Sequence, residues 1–190
     1  MTSRLILICH GSTDAVRRSA FPADEPLDAA GRKAAAVLAG RLPAMERCWS
    51  SPELRARQTA EALKLDAIVL SVLRDCDYGA WRGRSFAEVS TQQPAATAAW
   101  LGDPTATPHG GESLLSLIGR VAQWLDGERA MERRTIVVTH AAIVRAAIIH
   151  AIAAPAQSFW RIDLAPLSIT CLSGIGSRWN LASSGCAASQ

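Results

Sequence analysis

No stretch of the 190-residue sequence comes near the ~20 apolar residues that a membrane-spanning helix requires. The N-terminal apolar run, Leu5 to Cys9, is far shorter than the core of a signal peptide. These absences predict a chain that is neither anchored nor exported, hence cytoplasmic. The net charge of +3 is spread along the chain with no run of Lys or Arg, so binding of nucleic acid or a membrane by a basic patch is not expected. The five cysteines, Cys9, Cys48, Cys76, Cys171 and Cys186, are odd in number and form no C-x-x-C pair. That argues against a zinc or dithiol centre and fits a reducing compartment. Other metal-ligand spacings and internal repeats are missing too. What remains is a globular balance of 49% hydrophobic and 19% charged residues, in a chain long enough for one domain and too short for two with a linker.

Several catalytic signatures are also missing. A cysteine phosphatase loop needs an arginine six positions after its cysteine, but Ala15 stands six after Cys9. There is no G-x-S-x-G elbow for a serine hydrolase and no G-x-x-x-x-G-K-S/T loop for a P-loop nucleotidase.

Arg4-Leu5-Ile6-Leu7-Ile8-Cys9 is short, continuously apolar and cut off by His10-Gly11-Ser12-Thr13, which predicts a strand buried on both faces. Asp28 is placed to cap a helix with Ala34, Val37, Leu38 and Leu42 on its apolar face, ended by Pro43. Arg47 to Ser50 reads as a second strand. Ser51-Pro52 reads as an N-cap with proline at the first helical position, opening a helix to about Leu65. Residues 66–73 are assigned another strand, residues 75–83 a loop with two glycines, and residues 94–108 short helices and turns. From Glu112 a helix carries Leu114, Ile118, Val121 and Leu125 in one stripe. Thr135 to Thr139 is the clearest strand, followed by His140 and an almost wholly apolar helix, Ala141 to Ala153. Leu167 to Ser173 and Arg178 to Leu181 are assigned final strands, and 182–190 a flexible tail after one domain spanning 1–181.

Strands alternating with helices predict a three-layer α/β/α sandwich with a mainly parallel sheet, in which ligands bind beyond the carboxyl ends of the strands. His10 and His140 both fall there. Arg55 lies near the start of its helix, and helical side chains lean back toward the N-terminus, which turns its guanidinium to the same edge. It has the fork geometry to hold phosphate oxygens. A carboxyl group from the 75–83 loop is available to protonate a leaving alcohol.

Motifs in this order resemble the histidine phosphatase superfamily, the phosphoglycerate mutase-like proteins. Cys9-His10-Gly11-Ser12-Thr13 is similar to the family's R-H-G-E/S-T loop, and Asp24-Glu25-Pro26-Leu27 with Gly31 to its D-x-P-L-T-x-x-G element. Ser51 through Ala60 resembles S-P-x-x-R-A-x-Q-T-A, and Asp75 through Gly83 resembles E-x-x-x-G-x-W-E-G. Gly110-Gly111-Glu112-Ser113 is similar to the G-G-E-S turn and Val137 to His140 to V-V-S-H.

The resemblance implies that His10 is the nucleophile, forming a phosphohistidine. Arg55 and His140 then hold the phosphoryl oxygens, and Asp75 is the acid and later the base. Gly11, Ser12, Arg17 and Glu112 are candidates for contacting the substrate, although Glu112 equally suits a helix start. Two positions depart from the pattern: Cys9 replaces the family's arginine and Arg82 its glutamate. Losing one preorganised donor at position 9 is expected to cost on the order of 10²–10³ in rate. Arg17 or Arg18 is the candidate substitute. The expectation is an acid phosphatase-type phosphomonoesterase acting on a small phosphate ester without metal or organic cofactor, its oligomeric state open. The alternatives are a degenerate phospholigand-binding protein, favoured by Cys9, and a mutase-type phosphotransferase. Cys9 itself reads as a small core residue.

Overall fold

The computed structural model describes residues 3–131 and 133–186. In chain order it contains β1 (Ser3–Cys9), α1 (Asp14–Arg17), α2 (Ala29–Leu38), β2 (Arg47–Ser50), α3 (Leu54–Ala62), β3 (Ile68–Val69), α4 (Phe86–Gln92), α5 (Pro94–Gly102), α6 (Leu114–Ala130), β4 (Arg134–Thr139), α7 (Ala141–Ala151), β5 (Ile169–Ile175) and β6 (Arg178–Cys186). One six-stranded sheet has the order β3-β2-β4-β1-β5-β6. Strands β1 to β4 are parallel, β5 pairs antiparallel with β1, and β6 antiparallel with β5.

The alternation of side chains along a strand divides the interior in two. Leu5, Leu7 and Cys9 of β1 join Val137 of β4 in a core built with α6 and α7. Ile8, with Ile136 and Val138, faces Ala56, Ala60 and Leu63 of the α3 region on the other side, where Leu38 of α2 also packs. Helices therefore cover both faces, giving the expected three-layer α/β/α sandwich. A smaller aromatic core of Phe21, Trp81, Val89 and Trp100 stands beside the sheet. His109 is buried against it, with its ring centroid 5.1 Å from that of Trp81. Among the described residues no helix is long and apolar enough to cross a membrane.

Four local expectations need correction. Helix α2 is capped by Asp28, whose Oδ1 accepts from Gly31 N at 2.6 Å, but it ends at Leu38, before Gly40 at φ +79° rather than at Pro43. It also buries Gly31 and Ala35 while Val37 is 55% exposed. A side chain at Gly31 would overlap the backbone of Ser12, so close approach, not bulk, chooses the inward face. Helix α3 starts at Leu54 with Glu53 as its N-cap, and the Ser51 hydroxyl serves another purpose. The stretch assigned to one strand over 66–73 is the two-residue β3 followed by a 3-10 turn, Ser71–Leu73. Finally, β6 continues to Cys186, so 182–186 are part of the sheet; pairing with β5 supplies the order that small residues lack alone. The remainder of the expected tail lies outside the described residues.

Candidate active site

Register brings the two histidines together. Cys9 of β1 pairs with Thr139 of β4, so His10 and His140 are the next residues beyond matched ends of adjacent parallel strands. The His10 amide donates to Thr139 O at 2.8 Å, and the two rings meet edge to face with centroids 5.2 Å apart. Ser50 of β2 pairs with Val138, which sets Ser51 beside His140. From there the chain turns through Pro52 and Glu53 into α3, whose second residue, Arg55, is 1% exposed.

His10, Arg55, Asp75 and His140 line one cavity of about 140 Å³, joined by Tyr78, Glu25 and Arg145. A second, more polar groove of about 220 Å³ shares Pro22, Arg55 and Asp75 with it and is bordered by Glu53, Arg74 and Arg82.

The two rings are wired differently. His10 Nδ1 lies 2.8 Å from Gly11 O, an acceptor, so this nitrogen holds the proton and Nε2 keeps its lone pair. Burial, reinforced by the positive charges of His140 and Arg55, lowers the His10 pKa to about 3. The ring is thus neutral across the ordinary pH range. In His140, Nε2 lies 3.0 Å from Glu53 Oε2 and 2.6 Å from Ser51 Oγ. A carboxylate only accepts, so Nε2 is the protonated nitrogen and Nδ1 is turned toward Asp75 Oδ2, 3.5 Å away. The Ser51 hydroxyl also donates to Glu53.

Arg55 Nη2 donates to Asp75 Oδ2 at 2.6 Å, while its Nε and Nη1 are buried with no partner among the described residues. Burial pushes the Asp75 carboxyl upward, but the neighbouring His140 and Arg55 outweigh it and hold the group below its ordinary range. Glu53 behaves alike: burial raises it, and the hydrogen bond and charge of His140 together with Ser51 bring it down to about 2. At rest both carboxyl groups are ionised.

The substrate-contact candidates are dispersed. Gly11 N donates to Thr59 Oγ1 at 3.0 Å, and a side chain there would press on Gly31 O at 3.0 Å. Ser12 Oγ donates to Asp28 Oδ2 at 2.9 Å, tying the loop to the α2 cap. Arg17 is 63% exposed and paired with Asp14 and Asp28, and Arg18 is paired with Asp14. Neither arginine lines the cavity of His10. Glu112 accepts from Arg120 Nε at 2.9 Å and Nη2 at 2.7 Å, outside that cavity. Arg120 in turn donates to Val72 O at 2.6 Å and Arg74 O at 3.1 Å, so this pair steadies the segment leading into Asp75. Cys9 is buried in the α6–α7 core, and burial pushes its thiol up to about 11.

Sequence reasoning gave no role in the site to Glu53, Glu25, Tyr78 or Arg145. Glu25, Glu53 and Tyr78 lie inside family-like segments without a local signal for their contacts. Arg145 did carry a signal, as the lone charge between apolar residues in Ala141–Ile149.

The model of the histidine phosphatase superfamily (branch 1) matches residues 5–186. A bifunctional protein of Mycobacterium tuberculosis is 34% identical over 180 residues, covering 88% of this chain and 50% of that protein, so the chain spans about half its length. A glucosyl-3-phosphoglycerate phosphatase of Mycolicibacterium vanbaalenii is 33% identical over 162 residues, covering 75% of this chain and 71% of the relative. Among solved structures, the native mycobacterial glucosyl-3-phosphoglycerate phosphatase superimposes with a TM-score of 0.86 at 26% identity, covering 98% of this chain and 100% of the other.

Proposed function

Because this chain belongs to the histidine phosphatase superfamily, we propose that it hydrolyses a small phosphomonoester through a phosphohistidine formed on His10. The observation that carries this reading is the free Nε2 lone pair of a neutral His10 beside the unpartnered buried nitrogens of Arg55. In the first step Nε2 attacks phosphorus; the N–P bond forms while the P–O bond to the alcohol breaks, and the alcohol leaves with a proton from Asp75. Arg55 and His140, its Nδ1 carrying a second ring proton in this step, stabilise the oxygens that gain charge. Water then attacks the phosphohistidine and gives its proton to Asp75. The N–P bond breaks, inorganic phosphate is released, neutral His10 is restored, and Asp75 passes its proton to the departing phosphate and returns to its ionised state.

Asp75 is ionised at rest, so its proton must come with the substrate. A bound phosphate competes for Arg55 and His140 and adds negative charge beside the carboxyl group, which raises its proton affinity. An ester entering as the monoanion, below a second pKa of about 6, carries the proton required. This supports work on the acidic side of neutrality. The adjoining groove, lined by Arg74 and Arg82 but also by Asp24, Glu53 and Asp77, suits a polar organic part, and the glucosyl-3-phosphoglycerate named for the relatives belongs in the first substrate panel.

Cys9 favours a second reading, a protein that binds phosphate without turning over esters. Phosphate release from a panel of sugar, hydroxy-acid and glycoside phosphates, measured on the wild type and His10→Ala, decides between them. Turnover lost in His10→Ala supports hydrolysis. An inactive wild type that still binds inorganic phosphate overturns it in favour of the binding protein.

A further inference from the structure

A phosphoryl group in transfer spreads charge over three equatorial oxygens. The cavity's buried guanidinium, Arg55, is already shared with Asp75, and the Cys9 thiol adds no charge. Strand alternation sends side chain 9 to the same face of the sheet as Leu5 and Leu7, the face covered by α6 and α7. Arg145 projects from α7 and lines the cavity together with His10, Arg55 and Asp75. Its placement is constrained on two sides: Nε donates to Ile162 O at 2.7 Å, and the guanidinium carbon lies 5.5 Å from the centroid of the Phe159 ring. No carboxylate among the described residues pairs with it, and its terminal nitrogens have no hydrogen-bond acceptor among them. Its charge is close enough to favour ionisation of both Cys9 and Tyr78, although burial dominates at each.

We propose that Arg145 is a second phosphoryl-binding guanidinium of this site, delivered from helix α7 to the face of the sheet where side chain 9 offers only a thiol. A planar fork held at Nε and over an aromatic ring is preorganised, with its remaining donors left for phosphate oxygens. The effect on rate rests on the hydrolase reading, whereas the effect on anion binding stands without it.

The test compares the wild type, Arg145→Gln and Arg145→Gln/Cys9→Arg by kcat/KM for an active ester, by affinity for orthovanadate and inorganic phosphate, and by thermal melting. Arg145→Gln is expected to lower kcat/KM by ~10²–10³-fold and to weaken vanadate by at least about tenfold, at a little-changed melting temperature. A guanidinium returned from position 9 is expected to recover about tenfold or more of either loss, a rescue that a purely structural role of the Ile162 tether does not allow. Vanadate and phosphate affinities within about threefold of wild type in Arg145→Gln overturn the proposal, whatever happens to turnover. Failure of the hydrolase reading looks different: the wild type is inactive, or His10→Ala is active, and the anion affinities still decide the role of Arg145.

Discussion

His10 and His140 follow matched ends of neighbouring strands and stand 5.2 Å apart, yet their surroundings are opposite. His10 is tied to a backbone carbonyl, with cationic neighbours that oppose its protonation. His140 lies between the carboxylates of Glu53 and Asp75, one at each ring nitrogen. The first arrangement preserves a lone pair; the second fixes the His140 ring by Glu53 at Nε2 and turns Nδ1 toward Asp75. Position on the sheet brings the rings to one place, and the shell around each ring supports the proposed division between nucleophile and charge stabiliser.

Removing the proposed nucleophile is expected to be the largest perturbation. His10→Ala is expected to reduce kcat by at least about 10⁴-fold while inorganic phosphate still binds. Comparable losses in binding and turnover break the contrast. His140→Ala removes a stabilising donor and is expected to cost ~10²–10³-fold in kcat, with part of the loss shared by vanadate affinity. If His140→Ala instead abolishes turnover while His10→Ala merely weakens it, the roles are reversed.

The pH dependence sharpens the same contrast. With the His10 pKa near 3, activity is expected to show no acid limb between pH 4 and 6 from this group, and kcat/KM to fall about tenfold per unit above a pH of about 6 as the ester loses its proton. An acid limb between 5 and 6 that disappears on moving His10's neighbours contradicts the assignment. Stability follows the opposite direction. The unfolded chain protonates His10 near 6.5 and the native state only near 3, so stability is retained above 6.5 and lost as pH falls through that window. His109, also lowered by burial, adds the same sign. Denaturant midpoints between pH 7 and 5 are expected to fall less steeply in His10→Ala than in wild type.

The smallest effect concerns the support of His140. Glu53→Gln keeps the size of the side chain but removes the charge that orients Nε2, and a loss of ~10–100-fold is expected by analogy with other residues that orient a functional histidine. In a double-mutant cycle with His140→Ala most of that loss is expected to vanish. Additive losses mean that Glu53 acts elsewhere, for example through the Asp75 amide, which it accepts at 3.3 Å.

The strands that carry the histidines were legible because buried parallel strands are continuous apolar runs ended by polar loops. The ordered motifs made His10, Arg55, Asp75 and His140 candidates, and the structure brings all four to one cavity. Local pattern failed where distant partners decide. Ser51 looks like a helix cap, but its hydroxyl is engaged by His140, which no nearby residue announces. Val37 looks like a core residue, but Gly31 and Ala35 face inward because the His10 loop approaches α2 too closely for larger groups. Arg17 is near His10 in sequence, yet the short α1 turns it toward Asp14 and Asp28. The arginine that joins Arg55 in the cavity comes instead from α7, where its only sequence mark was isolation in an apolar helix.

Trapping the covalent intermediate tests the account most directly. Wild type quenched during turnover of an active ester, digested under conditions that preserve phosphoramidates and mapped by mass spectrometry, is expected to carry one phosphoryl group on the peptide containing His10, and His10→Ala to carry none. Steady release of phosphate with no phosphoryl group on His10 at any quench time, or the same label in His10→Ala, contradicts it.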